Sequence, residues 1–248
     1  MIFEHEIPTG SRLYFGNTAK LKRALENGAS DFLEEKGFEE ILTPNFSYSG
    51  HQSIDNEKSL ITLSDEENNS LALRADSTLD VVRIISKRLG RATLHKKWFY
   101  IQPVFTYPAN ETYQIGAEWI GHNNICDMIN LNCDLLNKLE IDSLVQIANI
   151  NIPMIISKEY NISIDLFKNG EIGALFELEL DWLTKLINVK TSECLEKILE
   201  ILPECLKKEC EKLINIAKNI EYKNVNVSPI YYSAMKYYDD IYYRVLND

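Results

Sequence analysis

Residues 96–122 read KKWFYIQPVFTYPANETYQIGAEWIGH. Two runs rich in β-branched and aromatic residues flank a Pro-Ala-Asn-Glu turn, which predicts two long antiparallel strands. On the second strand Gln114, Gly116 and Glu118 share one face, which shows an amide, no side chain and then a carboxylate. The glycine predicts room for a ligand against the backbone, and a carboxylate beside an amide suits an ammonium group. The alternative is a solvated strand face whose glycine serves only packing.

The rest of the chain mixes helices and strands without regular alternation. Hydrophobic periodicity and turn signals predict helices at about 17–36, 77–89 and 124–140, strands at 38–44 and 144–152, a hairpin at 59–75, a helical insertion at 153–222 and a strand-like, tyrosine-rich end at 225–246. This order predicts an α+β fold with a largely antiparallel sheet.

Composition fits one domain, 1–248, that carries the helical insertion. The formal net charge of −11 disfavours broad contact with nucleic acid or anionic lipid. No apolar run reaches the roughly 18 residues that span a bilayer, and no secretory signal begins the chain, so a cytoplasmic protein without membrane contact is expected. Five cysteines without a CxxC pair and four scattered histidines predict neither a disulfide scaffold nor a metal site.

Two further clusters could contribute to a pocket. Asp76 and Thr78 lie where a strand gives way to a helix, and Asp76 is either the helix cap or a second carboxylate facing Glu118. The tyrosine run near the C-terminus either packs one aromatic face inward or lines the pocket with one phenol, for which Tyr237 is the candidate.

These features, in this order, resemble the catalytic domain of class II aminoacyl-tRNA synthetases, specifically histidyl-tRNA synthetase and its paralogues. The matching segments are GFEEI with the TP that follows (37–44), LALRADSTLDVVRI (71–84), WFYIQPVFTYP with QIGAEWIG (98–121) and SAMKYYDDIYYRV (233–245). The resemblance implies an antiparallel sheet flanked by helices. It also implies a homodimer, because the first of these segments forms the dimer interface in that family.

Departures from the family pattern indicate that catalysis is lost. Thr106 and Ser233 stand where the synthetases carry arginines, and cations at such positions stabilise the charge that builds up during amino-acid activation. The chain ends at Asp248 without the family's third motif or an anticodon-binding domain. The sequence therefore predicts no catalytic residue, no cofactor, no tRNA binding and no enzyme activity.

Among the paralogues the chain resembles the regulatory subunits of ATP phosphoribosyltransferase, which acts first in histidine biosynthesis. That resemblance implies a partner, the short-form catalytic chain, which this subunit activates while helping to relay histidine feedback. It implies a histidine-like pocket formed by Asp76, Thr78, Gln114, Glu118 and Tyr237. The alternatives are a stand-alone, catalytically dead synthetase paralogue that binds an amino acid or has lost its partner, and an active ligase.

Overall fold

The chain, seen in a computed structural model, is described for residues 6–51, 59–87, 89, 93–233 and 238–247. It divides into two compact units, residues 1–122 and residues 123–248. That the whole chain acts as one synthetase-like domain stays a prediction.

The first unit begins with a helix and continues mainly as strands. Its elements are helix α1 (Gly16–Glu35), strands β1 (Glu39–Glu40), β2 (Phe46–Tyr48), β3 (Thr62–Ser64) and β4 (Ser70–Leu73), helix α2 (Ser77–Lys87) and strands β5 (Lys97–Thr106) and β6 (Asn110–Trp119). Helix α1 forms because Ala29, Phe32 and Leu33 recur at helical spacing and are buried. Gly37, at a φ of +81°, ends it in the left-handed region that favours glycine.

Strands β5 and β6 form the long hairpin predicted from the sequence. They pair antiparallel from Thr106 opposite Asn110 to Lys97 opposite Trp119, and β1 joins β5 in parallel. On the face that carries the even-numbered residues, Val81 and Ile85 of α2 pack with Trp98 and Tyr100. On the opposite face the Lys22 ammonium of α1 lies over the Tyr113 ring. The hairpin is therefore held between the two helices.

A second, antiparallel sheet has the order β2-β4-β3. Tyr48 lies opposite Leu71, and Leu71 lies opposite Leu63, so apolar side chains form a row across one face. Phe46, Tyr48 and Leu63 are 53%, 52% and 40% exposed, while Ala72, which points to the other face, is fully buried. We call Phe46, Tyr48 and Leu63 the sheet face.

The second unit is mostly helical. Its elements are α3 (Ile125–Lys138), β7 (Leu144–Asn149), α4 (Asn151–Tyr160), α5 (Ile164–Lys168), α6 (Ile172–Phe176), α7 (Asp181–Ile187), α8 (Ser192–Ile198), α9 (Glu204–Lys218), β8 (Val225–Val227) and β9 (Ile241–Leu246). Helices α4 to α9 occupy most of 153–222, and that this stretch is an insertion in the fold stays a prediction.

The sheet of this unit has the order β8-β7-β9, with β8 parallel and β9 antiparallel to β7. Val145 and Ile147 of its central strand belong to the same hydrophobic core as fully buried leucines of the helices, Leu183, Leu195 and Leu206 among them. The prediction of strand throughout 225–246 is wrong for 228–233 and 238–240, where the described backbone is irregular. Pro229, which has no N–H for a ladder bond, lies in the first of these stretches.

None of the described helices is both long and apolar enough to cross a membrane.

Candidate functional site

The predicted pocket residues of the first unit come together where α2 begins beside β6. Asp76 accepts a hydrogen bond from the Leu79 N–H at 3.2 Å, so it does cap α2. The Ser77 N–H donates to Gln114 Oε1 at 3.2 Å, which ties the start of the helix to the strand. Gln114 Oε1 has a second lone pair, which is available to accept a hydrogen bond from a ligand ammonium.

Glu118 lies among polar groups in this corner. Burial raises the pKa of Glu118 to about 7, and the nearby Asp76 charge adds to the rise, while hydrogen bonds from Thr78 and Tyr100 oppose it. Asp76, Thr78 and Glu118 thus share one environment. Two carboxylates this close favour either a shared proton or a bound cation.

The prediction that Gly116 leaves room for a ligand is wrong. Tyr100 lies directly opposite Gly116 in the hairpin, and a Cβ at position 116 would collide with the Tyr100 ring. The glycine is needed so that this phenol can lie over the strand. The Tyr100 hydroxyl is 2.9 Å from Thr78 Oγ1, so Tyr100 is a member of the site.

Sequence reasoning missed Tyr100, although a signal for it existed. In a hairpin the register follows from the turn, and side chains directly opposite each other point to the same face. Counting back from the pair of Thr106 and Asn110 places residue 100 opposite residue 116. A bulky side chain directly opposite a glycine can occupy the space that the missing side chain leaves, as Tyr100 does beside Gly116.

Arg74 is a second residue whose role the sequence did not show. Its side chain is 1% exposed, and its Nε donates to the Pro103 carbonyl at 2.9 Å. Its other nitrogens donate to the Thr43 carbonyl and hydroxyl, the Pro44 carbonyl and Asn45 Oδ1 at 2.9–3.2 Å. Arg74 therefore clamps the segment before β2 to strand β5, and it is committed to neutral oxygens.

The remaining predicted positions lie at the end of β5, in the second unit or outside the described residues. Thr106, where the synthetases carry an arginine, ends β5, and its hydroxyl accepts a long hydrogen bond of 3.4 Å from Asn110 Nδ2. Ser233 is buried in the second unit. Tyr237 lies outside the described residues.

Metal binding finds no support in the part of the chain that is described. No group of three or more His, Cys, Asp or Glu side chains is arranged there to hold an ion. What the corner offers is two carboxylates, a hydroxyl and a phenol. Together these suit an organic cation such as an ammonium or imidazolium group.

A family model for histidyl-tRNA synthetase matches residues 14–246. The chain belongs to the histidyl-tRNA synthetase family. A member of this family from Wolinella succinogenes, named ATP phosphoribosyltransferase regulatory subunit, is 42% identical, over 99% of this chain and 85% of that protein. A Helicobacter hepaticus protein of the same name is 38% identical, over 99% and 87%. These relatives confirm the predicted resemblance to the regulatory-subunit branch of the family.

Solved structures of the histidyl-tRNA synthetase family share the fold. A protein from Bacillus halodurans, described as an ATP phosphoribosyltransferase regulatory subunit/histidyl-tRNA synthetase, superposes with a TM-score of 0.86 over all of this chain and 74% of that one. A histidine–tRNA ligase subunit from Alicyclobacillus acidocaldarius gives 0.75, over 100% and 86%. Both are 18% identical, so they bear on the fold alone. They confirm the predicted class II synthetase-like α+β fold.

Proposed function

We propose that this chain is a non-catalytic regulatory subunit that binds the short-form catalytic chain of ATP phosphoribosyltransferase and activates it. The observation that carries the proposal is 42% identity, across 99% of the chain, to a protein named as that regulatory subunit. Activation requires that the subunit bind the active state of the transferase more tightly than the inactive state, because equal affinity would shift no population.

The test is co-purification with a short-form transferase chain, followed by an assay of transferase activity. A stable mixed complex with raised activity is the expected result. Two proteins that elute separately, with unchanged activity, would instead favour the stand-alone paralogue.

The absence of catalysis in this proposal rests on missing cations. Amino-acid activation builds negative charge on phosphate, and Thr106 offers no charge at its position. Arg74, although it lies beside β5, has its guanidinium bound to protein oxygens. We expect no histidine-dependent pyrophosphate exchange above background, with an authentic histidyl-tRNA synthetase as the positive control.

We further propose that Asp76, Thr78, Gln114 and Glu118 hold the cationic part of histidine or a similar amino acid, with Tyr237 contributing by family resemblance only. Burial, and after it the Asp76 charge, raises the pKa of Glu118, and a bound cation would offset both effects by favouring the ionised carboxylate. Two other groups beside the corner support a polar ligand. The Ser77 hydroxyl and the Trp98 indole N–H are buried and find no hydrogen-bond partner among the described residues.

Calorimetric titration with histidine tests this pocket. We expect heat for the wild type and a large loss of affinity in Glu118→Gln. The matched control is Glu111→Gln, on the same strand but on its opposite face. No heat and no thermal shift at millimolar histidine would overturn the ligand proposal and leave the partner proposal standing.

A homodimer is the last part of the proposal. Family resemblance assigns its interface to residues 37–44, and the sheet face, which begins at Phe46 two residues further along the chain, offers an exposed apolar surface. The strands that build this face contain no charged residue, yet they expose two aromatic rings and a leucine. Exposed apolar faces of this kind mark association surfaces. In a twofold dimer the same patch serves both copies, so an uncharged patch meets no like charge.

A further inference from the structure

A second exposed apolar surface lies in the helical unit, and its charge differs from that of the sheet face. Residues 171–182 read EIGALFELELDW, with four carboxylates and no lysine or arginine. From Phe176 onward apolar and acidic residues alternate. Apolar and acidic side chains therefore lie close together in this part of the chain.

The apolar residues of this stretch divide into two sets. Leu175 is buried, and Leu180 and Trp182 pack against the core of the second unit. Ile172, Phe176 and Leu178 instead stay 37%, 39% and 39% exposed. Ile172 and Phe176 are four apart on α6, so their side chains are neighbours on one side of the helix. The fold thus uses half of these apolar residues and leaves the other half at the surface.

The acidic side chains between them make no contact that holds the fold together, although Asp181 lies in the first turn of α7, where a negative charge is favourable. Within the part of the chain that is described, the carboxylates of Glu177, Glu179 and Asp181 make no hydrogen bond and no ion pair. Glu179 adopts a φ of +52°, and its N–H donates to the Phe176 carbonyl at 3.2 Å, which fixes the turn between α6 and α7. The α6 patch, as we call Ile172, Phe176 and Leu178 with these three carboxylates, is therefore an apolar surface with an unneutralised acidic rim.

We infer that the α6 patch is the docking surface for the transferase catalytic chain, and that it takes a surface of that chain with apolar anchors and flanking lysines or arginines. This inference rests on the proposed function. The exposed apolar side chains supply the centre of an interface, and the free carboxylates supply complementary charge at its edge.

Charge selects this occupant over the others. A second copy docked twofold on the α6 patch would bring the same carboxylates against one another, which is unfavourable. A nucleic acid would meet acidic groups where it needs cations. A basic partner surface satisfies both the apolar centre and the acidic rim.

Two double variants test the surface, each with a matched control. Glu177→Lys with Glu179→Lys reverses the rim charge, and Glu66→Lys with Glu67→Lys makes the same change of charge on the exposed hairpin turn of the first unit. Ile172→Ser with Phe176→Ser removes the apolar centre, and Leu94→Ser removes an apolar side chain that is 92% exposed elsewhere. Affinity for a short-form transferase chain is measured by calorimetry, and folding by thermal melts.

We expect both patch variants to weaken binding at least about tenfold, and both controls to bind like the wild type, with melting temperatures close to that of the wild type throughout. Wild-type binding with unchanged affinity in both patch variants would overturn the docking surface while leaving the proposed function intact. Failure of the wild type to bind would overturn both. A patch variant that melts early is replaced by Glu177→Gln with Glu179→Gln, whose retained wild-type affinity would also count against the surface.

Discussion

The sheet face and the α6 patch both expose apolar side chains, but they differ in the charge around them. The strands that carry Phe46, Tyr48 and Leu63 have no charged residue, whereas residues 171–182 have four carboxylates and no cation. An uncharged face can meet its own copy, because symmetry then brings no like charges together. An acid-rimmed face rejects its own copy and selects a basic partner. One chain can therefore keep self-association and partner binding on separate surfaces.

The largest effect should come from removing the support of the sheet face. Arg74→Ala would leave buried oxygens on either side of the clamp unpaired, and we expect the free energy of unfolding of the first unit to fall by about 3–5 kcal/mol. Urea unfolding followed by tryptophan fluorescence measures it. Because the described contacts of Arg74 lie in the first unit, the α6 patch should not change.

Arg23→Ala is the control for that experiment. Arg23 is an arginine of α1 whose side chain is 74% exposed and pairs at 3.5 Å with Glu26, which keeps Lys22 as a second partner. Its removal should cost about 1 kcal/mol or less. Equal destabilisation by the two substitutions would show that the clamp is no more than an ordinary ion-paired arginine.

The next largest effect should come from charging the sheet face. In Phe46→Glu with Tyr48→Glu, each new carboxylate would occur twice in a twofold dimer and lose its water in the interface. We expect the dimer to dissociate at least about a hundredfold more readily, so that light scattering reports the mass of one chain. Leu94→Glu, at an exposed site away from this face, should leave the mass of two chains. A variant that still weighs two chains would remove the sheet face from the dimer proposal.

Glu118 differs from the carboxylates at the rim of the α6 patch, because it is buried within the first unit. Its pKa is raised from 4.5 to about 7, so the folded protein favours the protonated form, and stability should fall as the pH rises from about 4.5 through 7. Glu118→Gln keeps an acceptor without the charge. It should flatten this dependence and be more stable than the wild type at pH 8 by about 1–2 kcal/mol. Parallel pH profiles for the variant and the wild type would contradict this, and Glu111→Gln should follow the wild type.

The sequence predicted local structure well and distant contacts poorly. Hydrophobic periodicity placed α1, α2 and the long hairpin, because each depends on residues close together in the chain. Gln114 and Glu118 could be assigned to one strand face for the same reason. The Arg74 clamp joins segments about 30 residues away on either side, and no spacing in the sequence indicates that.

The sequence also could not predict which apolar side chains stay exposed in the folded protein. Phe176 and Trp182 stand in the same alternating stretch and look equivalent there, yet Phe176 stays at the surface while Trp182 packs against the core. Which of two similar apolar residues is left for a partner depends on how the helices pack. The predicted helical insertion therefore gave no hint of the α6 patch until its helices were placed.

Salt gives the smallest and most specific distinction between the two surfaces. Raising the ionic strength from about 0.05 to 0.5 M shortens the screening length severalfold, which weakens rim ion pairs but not apolar contact. We expect affinity for the transferase chain to fall about three- to tenfold, and dimer affinity to change less than about twofold, in sedimentation experiments at both ionic strengths. Glu177→Gln with Glu179→Gln should remove most of the salt dependence of transferase binding. Transferase binding and dimerisation could instead weaken equally as salt is raised. That result would contradict a separation of the two surfaces by charge, because the acidic rim of the α6 patch would then add no electrostatic attraction.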